Sequence, residues 1–308
     1  MDGILNINKP AGKTSYTIVA MVKRLTGEKR VGHAGTLDPL ATGVLPVCLG
    51  QATRLVEYLV DTTKTYHAEI ELGVSTDSYD MEGAVTQRRD ASAVSLEQLE
   101  KALHAFRGVI TQLPPMYSAV KHQGKPLYEL ARAGIAVERK SRTAKIFSLE
   151  IKDWKNPLLT IEVTCGKGTY IRSLANDLGQ ALGRGATLKH LERSRCGIFD
   201  INESVTADHF IDACQGGYWE SLLYPMDSIL SRWETVIVGE EKAQAIRNGA
   251  LISLAENKSL KAGINYCRAY TWDGSLLGIL HFDSEKKQWQ PEKVFSYLDS
   301  TTGICYEY

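Results

Sequence analysis

Hydrophobic and polar residues at the start of the chain alternate first in the period of a strand and then in that of a helix. The segment ILNINKP, residues 4–10, alternates as a strand does and is stopped by Pro10. Thr14 or Ser15 can cap a helix that continues to Gly27. The chain therefore opens with a predicted strand, turn and helix.

Strand and helix patterns continue to alternate as far as residue 182. Residues 65–72 have the strand period and place Tyr66 on the same face as three apolar residues. Ser95 and Gln98 form a capping box at the start of a helix that reaches Phe106. Further elements are predicted as strands at residues 146–151 and 158–164 and as a helix at residues 169–182.

Residues 31–50 do not have a clear period. They contain four glycines and two prolines among apolar residues. Glycine relaxes the backbone and both residue types interrupt regular structure, so we expect an ordered loop with a helical turn rather than a strand.

After residue 231 the pattern becomes that of a small β-rich module. A short helix is predicted at residues 240–248, ended by Gly249, followed by β-like runs at residues 264–270 and 276–281. We expect an α+β protein with two domains, residues 1–231 and residues 232–308.

Composition indicates a folded, cytoplasmic protein. Of the 308 residues, 44% are hydrophobic and 23% charged, as in ordinary globular proteins. No apolar run approaches the roughly 20 residues that span a bilayer, and the start lacks the features of a signal peptide. Because no cysteines form a CxxC pair, we expect reduced thiols at six positions: Cys48, Cys165, Cys196, Cys214, Cys267 and Cys305.

Positive charge is concentrated locally, although the formal net charge of the chain is zero. Residues 118–145 contain seven basic and two acidic side chains, a net charge of +5, and residues 184–195 have a net charge of +3. Residues 233–308 have a net charge of −2. A nucleic-acid partner would therefore bind the first domain more strongly than the second.

Asp38 is a candidate nucleophile, but its immediate surroundings do not establish that role. It precedes Pro39, which disfavours the helical conformation, and lies between Gly35 and Gly43. A carboxylate with an ordinary pKa of about 3.9 is ionised at neutral pH and needs no partner base. A lone loop aspartate more often satisfies local backbone donors.

The longer motif changes that interpretation. The string GHAGTLDPLATGVLPVCLGQATRL, residues 32–55, resembles the active-site motif of the bacterial TruB family of tRNA pseudouridine synthases. The resemblance continues, in the family's order, through NKPAGKTS, TKTYHAEIELG, PPMYSAVKHQGKPLYELARAG, GTYIRSLANDLGQALG and LERSRCGIF. It implies the family's fold, a central mixed, mainly antiparallel sheet flanked by helices, with a small β-rich PUA-like C-terminal domain.

The resemblance also implies roles for individual residues. It makes Asp38 the nucleophile, Tyr66 the aromatic residue against the target base, and Arg172 the cation beside the carboxylate. Taken alone, Tyr66 would be a core or rim tyrosine and Arg172 an ordinary surface arginine. The remaining positions implied to bind substrate are His33, Tyr170, Leu191, Lys9 and Asp80.

The implied substrate is uridine 55 in the T loop of tRNA, modified without a guide RNA by a base-flipping monomer. Residues 114–145 would include an RNA-clamping insertion, for which the alternative is a solvated charged hairpin. No membrane partner, cofactor or metal is expected, although the acidic residues Asp77, Asp80 and Glu82 admit magnesium as a minor alternative.

Two other functions remain open on the sequence. A guide-dependent relative of the same superfamily would use a similar aspartate. A catalytically silent tRNA-binding module would depend on the basic segments and not on Asp38.

Overall fold

The computed structural model describes residues 1–254 and 263–295. Within these ranges the chain forms two units, Met1–Tyr224 and a second that begins at Pro225. The strands of the first unit are β1 (Gly3–Lys9), β2 (Val31–His33), β3 (Thr42–Leu49), β4 (Lys64–Leu72), β5 (Val74–Thr76), β6 (Val85–Arg88), β7 (Gly108–Gln112), β8 (Lys121–His122), β9 (Lys125–Pro126), β10 (Arg142–Lys155), β11 (Leu158–Cys165), β12 (Ala186–Cys196), β13 (Phe199–Asp200) and β14 (Val205–Thr206). Its helices are α1 (Ser15–Thr26), α2 (Val56–Val60), α3 (Leu96–His104), α4 (Leu127–Arg132), α5 (Ile171–Ala181) and α6 (Ala207–Gln215).

A ten-stranded sheet forms the centre of the first unit. Its strand order is β14-β1-β3-β12-β4-β11-β10-β7, with β13 beside β12 and β2 beside β3. The β1-β14 and β3-β12 pairings are parallel, and the other pairings of this sheet are antiparallel. This is the mixed, mainly antiparallel sheet that the sequence predicts.

Helices α1, α3, α5 and α6 pack their apolar sides with the sheet in one core. Ile18 of α1, Leu99 of α3, Leu174 of α5 and Phe210 of α6 are all buried there. Complete burial of one such side chain stabilises a fold by about 1.5–3 kcal/mol. Helix termini follow the predicted caps, since Thr14 accepts from the backbone of Thr17 and the Ser95–Gln98 capping box is present.

The prediction that residues 31–50 form a loop is wrong for much of this segment. Residues 31–33 form β2, and β3 pairs with β1 on one side and β12 on the other. Almost every residue of β3 is buried, so its sequence is a continuous apolar run without alternation. Pro46 lies within this strand opposite Asn6 of β1, an unusual position for proline.

The second unit has its own small sheet and core. It contains β15 (Glu234–Ile237), α7 (Glu240–Arg247), β16 (Tyr266–Tyr270), β17 (Leu276–Asp283) and β18 (Gln288–Val294), with the strand order β15-β16-β17-β18. Val236, Ile246, Leu280 and Trp289 are part of its core. This is the β-rich C-terminal domain that the sequence predicts.

The two units divide between Tyr224 and Pro225, whereas the boundary expected from the sequence follows residue 231. A short 3₁₀ turn, Met226–Leu230, lies in the second unit. The hydroxyl of Tyr270, at the end of β16, donates a hydrogen bond to Asp227 in this turn. That interaction ties the turn to the C-terminal sheet, a link that the pattern of the sequence does not reveal.

Five of the six cysteines are free thiols, and Cys305 lies outside the described residues. Across the described ranges, no helix is both long enough and apolar enough to cross a membrane.

Candidate active site

Asp38 lies in the loop between β2 and β3, and contacts from the start of α1 hold this loop in place. The Ser15 hydroxyl accepts a hydrogen bond from the backbone N–H of Leu37 at 2.9 Å and lies 3.1 Å from the Leu37 carbonyl. The N–H of Gly12 donates to the carbonyl of Pro39 at 2.8 Å. The backbone is thus fixed on both sides of Asp38.

Arg172, in the first turn of α5, connects Asp38 to two other elements. Its Nη2 lies 2.8 Å from Asp38 Oδ1 and 2.8 Å from the carbonyl oxygen of Tyr117, and its Nη1 lies 3.2 Å from Asp80 Oδ2. The Arg172 side chain is 5% exposed, whereas Asp38 is 33% exposed. Because a planar guanidinium binds in fixed directions, it holds one oxygen of Asp38 while the side chain stays reachable.

Asp80, in the turn between β5 and β6, binds the other terminal nitrogen of Arg172, Nη1. Its Oδ1 accepts hydrogen bonds from the Ser78 hydroxyl at 2.5 Å and the backbone N–H of Glu82 at 3.1 Å. Its side chain is 3% exposed. The sequence predicts this residue near the RNA, but its carboxylate is already occupied by protein donors.

Lys9, at the end of β1, is also fully buried. Its Nζ donates to the carbonyl oxygens of Pro10, Lys13 and Pro39 at 2.9, 2.6 and 3.2 Å. Burial lowers the pKa of Lys9 to about 8, although the charge of Asp38 raises it. All three described hydrogen bonds of the ammonium go to protein carbonyls, so Lys9 stabilises the backbone next to Asp38.

The surroundings of Asp38 make its ionised form less stable than in water. Burial raises its pKa, and so does the charge of Asp80, while Arg172 and Lys9 lower it. The net direction is upward from the ordinary value of 3.8. A carboxylate with a raised pKa is less stabilised as an anion than in water, which favours its use as a nucleophile.

Tyr66 lies on β4 opposite Arg193 of β12, a residue that the sequence interpretation did not select. Burial raises the pKa of Tyr66 to about 12, and the charge of Arg193 opposes this rise. Arg193 is 1% exposed, with Nε 2.7 Å from the carbonyl of Val44 and Nη2 3.0 Å from that of Gly35. It thus connects Gly35, at the start of the Asp38 loop, to Val44 in β3, the strand that follows the loop.

A signal for Arg193 was present in the sequence. It stands two residues after Leu191, and residues two apart on a strand face the same side. Because Arg193 faces the same side of the strand as Leu191, a predicted pocket residue, it could have been distinguished from the solvent-facing cations of residues 184–195.

Tyr170 and Leu191, which the family resemblance assigns to the substrate pocket, lie on different elements. Tyr170 is the N-terminal cap residue of α5, with its backbone N–H and carbonyl bound by the side chain of Gln112. Burial raises the pKa of its hydroxyl, and the charges of Asp38 and Arg172 both reach it. Leu191 is 5% exposed and belongs to the core against which Tyr66 packs.

His33 ends β2 and is half-buried. Burial lowers its pKa, and the charge of Arg193 lowers it further. Its Nδ1 is buried without a hydrogen-bond partner among the described atoms. A buried polar atom without a partner is uncommon and marks His33 as a candidate for a functional role.

The structure therefore joins Asp38, Arg172 and Asp80 by direct hydrogen bonds and links Lys9 to them through the Pro39 carbonyl. Tyr66 joins the same region through Arg193. For His33 and Leu191, the contacts described within residues 1–254 include none with the Asp38 side chain.

The predicted insertion, residues 114–145, contains β8, β9 and α4 and touches the site through Tyr117. The guanidinium of Arg132 lies 5.6 Å from the ring centre of Tyr128, and Arg139 donates to the carbonyl of Pro114 at 2.9 Å. Lys121 is exposed on the β8-β9 hairpin, as is the lysine that begins β9. Within the described ranges, no cluster of three or more histidine, cysteine or acidic residues forms a potential metal site.

Comparisons with known proteins identify the family. The TruB family pseudouridylate synthase N-terminal domain matches residues 23–171, and the tRNA pseudouridylate synthase B C-terminal domain matches residues 172–231. A tRNA pseudouridine synthase B from Dehalococcoides mccartyi is 47% identical over 96% of this chain and 97% of the relative. One from Clostridium tetani is 41% identical over 82% of this chain and 86% of the relative.

Solved structures of related proteins share the fold. A Cbf5-Nop10-Gar1 complex contains a chain with a TM-score of 0.73 and 28% identity, covering 96% of this chain and 85% of that one. An archaeal box H/ACA sRNP Nop10-Cbf5 complex gives a TM-score of 0.71 and 26% identity, covering 96% and 87%. The chain has the pseudouridine synthase fold and belongs to the TruB family of tRNA pseudouridine synthases, which are isomerases.

Proposed function

We propose that the protein converts uridine 55 in the T loop of tRNA to pseudouridine without a guide RNA, using Asp38 as the nucleophile. The observation that carries this proposal is the 2.8 Å hydrogen bond from Arg172 Nη2 to Asp38 Oδ1, on a side chain that remains one-third exposed. The carboxylate is held in one direction by a buried cation and still accessible to a nucleotide.

The reaction places simple demands on these residues. The bond from ribose C1′ to uracil N1 breaks, the base turns, a bond from C1′ to C5 forms, and the proton on C5 is replaced by one on N1. Asp38 provides the nucleophile, which adds to the sugar or to the base, and its bond to the substrate breaks again before pseudouridine is released. Arg172 keeps the Asp38 carboxylate ionised and oriented. Lys9 and Asp80 position this pair, since their own charged groups bind protein atoms.

The detached uracil must stay enclosed while it turns. Tyr66 and Tyr170 provide aromatic surfaces and Leu191 an aliphatic one, and stacking of a base on an aromatic ring is worth about 1–3 kcal/mol. Flipping a base out of its stack costs a few kcal/mol, which these contacts offset. His33, neutral and with a buried unpaired Nδ1, occupies the space that the flipped nucleotide leaves.

Guide independence is supported by the relatives at 40–47% identity, which are named as tRNA enzymes. The solved neighbours at 26–28% identity come from Cbf5 complexes. In this chain the exposed lysine and arginine side chains of residues 114–145 act as an RNA clamp that recognises the T stem-loop. A monomer is therefore sufficient for the reaction.

The second unit is proposed to be a PUA-like domain that assists binding to the acceptor stem. Its acidic balance limits it to a small contact with phosphate. Removing it should weaken tRNA binding more than turnover at saturating tRNA.

The test uses an unmodified tRNA transcript, purified protein and no other RNA, with pseudouridine located by base-specific chemistry. A second transcript with cytidine at position 55 is the matched control. We expect one modified uridine in the first transcript and none in the second. Modification at another uridine, or a requirement for added RNA, would refute the proposed substrate.

A further inference from the structure

Helix α1 and its flanking turns present a cluster of exposed cations that neither basic segment of the sequence includes. Residues 10–35 contain five basic side chains, all on exposed residues: Lys13, Lys23, Arg24, Lys29 and Arg30. The same range contains one acidic residue, Glu28, so the local net charge is +4. These five cations together with Tyr16 form what is called here the α1 surface.

The positive charge of the α1 surface is not neutralised by neighbouring side chains. For the part of the chain that the structure describes, no ion pair is found for any of the five cations. The single acid, Glu28, binds the amine of Met1 at 2.8 Å and the backbone N–H of Arg30 at 3.1 Å. The five charges therefore remain available to an external anion.

The N-terminal end of the α1 surface, at Lys13 and Tyr16, contacts the loop that carries Asp38. The Lys9 ammonium donates one hydrogen bond to the carbonyl of Lys13 and another to the carbonyl of Pro39. Tyr16 follows Ser15, the residue whose hydroxyl binds the backbone of Leu37. The backbone at Lys13 and Tyr16 therefore lies next to the loop that carries Asp38.

Tyr16 has an unusual environment for an aromatic residue. It is 76% exposed, among the largest values for an apolar side chain in the described residues, although it lies in the first turn of a helix with a buried opposite face. An exposed ring among cations is typical of sites where a nucleobase stacks and its phosphates are bound.

We propose that the α1 surface is a second tRNA-binding surface, on which Tyr16 stacks with a base close to the target and the cations bind the backbone. The proposal rests on the proposed function for the position of the target at Asp38. Helix α1 has 12 residues and is about 18 Å long. Lys23 and Arg24, in its last turn, therefore reach phosphates several nucleotides from the target.

The first experiment measures equilibrium binding of full-length tRNA at several salt concentrations. The variant combines Lys23→Gln with Arg24→Gln, and the matched control combines Lys101→Gln with Arg88→Gln, two exposed cations of the same unit outside the three basic regions. We expect the variant to bind about tenfold more weakly, and the slope of log affinity against log salt to fall by roughly one for each phosphate it no longer binds, with the control unchanged. Equal binding by variant and wild type, or equal weakening of both doubles, would overturn the proposal.

The second experiment tests the ring of Tyr16. Tyr16→Ala should weaken binding by roughly tenfold, and Tyr16→Phe should bind like wild type, because stacking requires the ring and not the hydroxyl. Weakened binding in both variants, or in neither, would contradict a stacking role. Thermal unfolding of each variant should match wild type because the side chain is exposed.

Repeating both measurements with an isolated T stem-loop distinguishes which phosphates are bound. An effect on both RNAs places the bound phosphates on the stem-loop, and an effect on full-length tRNA alone places them elsewhere; either result supports the surface. Binding is measured without turnover, so these outcomes do not depend on whether Asp38 is the nucleophile. Conversely, normal binding by the α1 variants would leave the proposed chemistry untouched.

Discussion

The site around Asp38 and the α1 surface use positive charge in opposite ways, although both belong to the first unit. The guanidinium of Arg172 is 5% exposed and binds two carboxylates and a backbone carbonyl. Lys9 and Arg193 are also buried and bind carbonyl groups. The cations of the α1 surface are exposed and make no ion pair within the described residues.

The difference teaches which property each region controls. Buried cations that bind carbonyl and carboxylate oxygens of the protein fix the position of Asp38, the proposed nucleophile, so changing them should alter turnover or stability. Exposed cations gain affinity by releasing counterions from phosphate, so changing them should alter binding and its salt dependence. Substitutions in both kinds of region test this separation, from the largest expected effect to the smallest.

Arg172→Lys keeps a charge but removes the planar fork that reaches two carboxylates and a carbonyl. We expect single-turnover pseudouridine formation to slow by about 10²–10³-fold, the scale of removing an oriented donor at a reacting group, with tRNA affinity nearly unchanged. Arg195→Lys is the matched control, because Arg195 forms an exposed pair with Asp200. Comparable slowing in both variants would show that the fork at Asp38 has no special role.

Gly43→Ala should destabilise the fold through the close approach of Arg193. Gly43 has φ +100°, and an added Cβ would lie 2.3 Å from the carbonyl oxygen of Arg193. Strain and overpacking together should cost about 2–5 kcal/mol in the free energy of unfolding, measured by denaturant titration. Gly12→Ala, also at positive φ but with nothing within 4 Å, should cost about 1 kcal/mol. Equal costs would mean that the backbone of Arg193 does not limit the space at Gly43.

Replacing Lys121 and Lys125 of the β8-β9 hairpin by glutamine should affect binding alone. We expect roughly tenfold weaker tRNA binding with a smaller salt dependence, because the hairpin then binds fewer phosphates. Turnover at saturating tRNA should stay near wild type. A fall in turnover at saturating tRNA with unchanged affinity would mean that the hairpin acts like the buried cations around Asp38, which contradicts the separation of the two regions.

Asp80→Asn should shift the pH dependence of activity. Burial raises the pKa of Asp38, and the charge of Asp80 raises it further. Activity that needs ionised Asp38 is lost as the pH falls through this pKa, so removing the Asp80 charge should move the loss to lower pH. The control is Asp77→Asn, an exposed aspartate of the same turn, for which no shift is expected. A shift towards higher pH would contradict the assigned electrostatics.

Much of the fold was predictable because its elements carry local signals. The cap at Thr14, the capping box at Ser95 and the alternation of β4 each act within a few residues of sequence. Strand β3 was not predictable in the same way. It is buried on both faces and contains Pro46, so its pattern shows neither alternation nor the usual strand composition.

The candidate site was only partly predictable, for a related reason. The proximity of Arg172 to Asp38 was implied by family resemblance, since 134 residues separate them in the chain. The burial of Lys9 and Asp80 and the two hydrogen bonds of Arg193 depend on tertiary packing. A charged residue has the same appearance in a sequence whether it meets RNA or a backbone carbonyl.

The nucleophilic role of Asp38 is tested most directly by comparing Asp38→Asn with wild type under single-turnover conditions at saturating unmodified tRNA. The substitution preserves shape and removes the charge that the nucleophile needs. We expect tRNA affinity close to wild type and a reduction of pseudouridine formation greater than about 10³-fold, the scale of removing a nucleophile. Pseudouridine formed by Asp38→Asn at a rate near that of wild type would contradict this role.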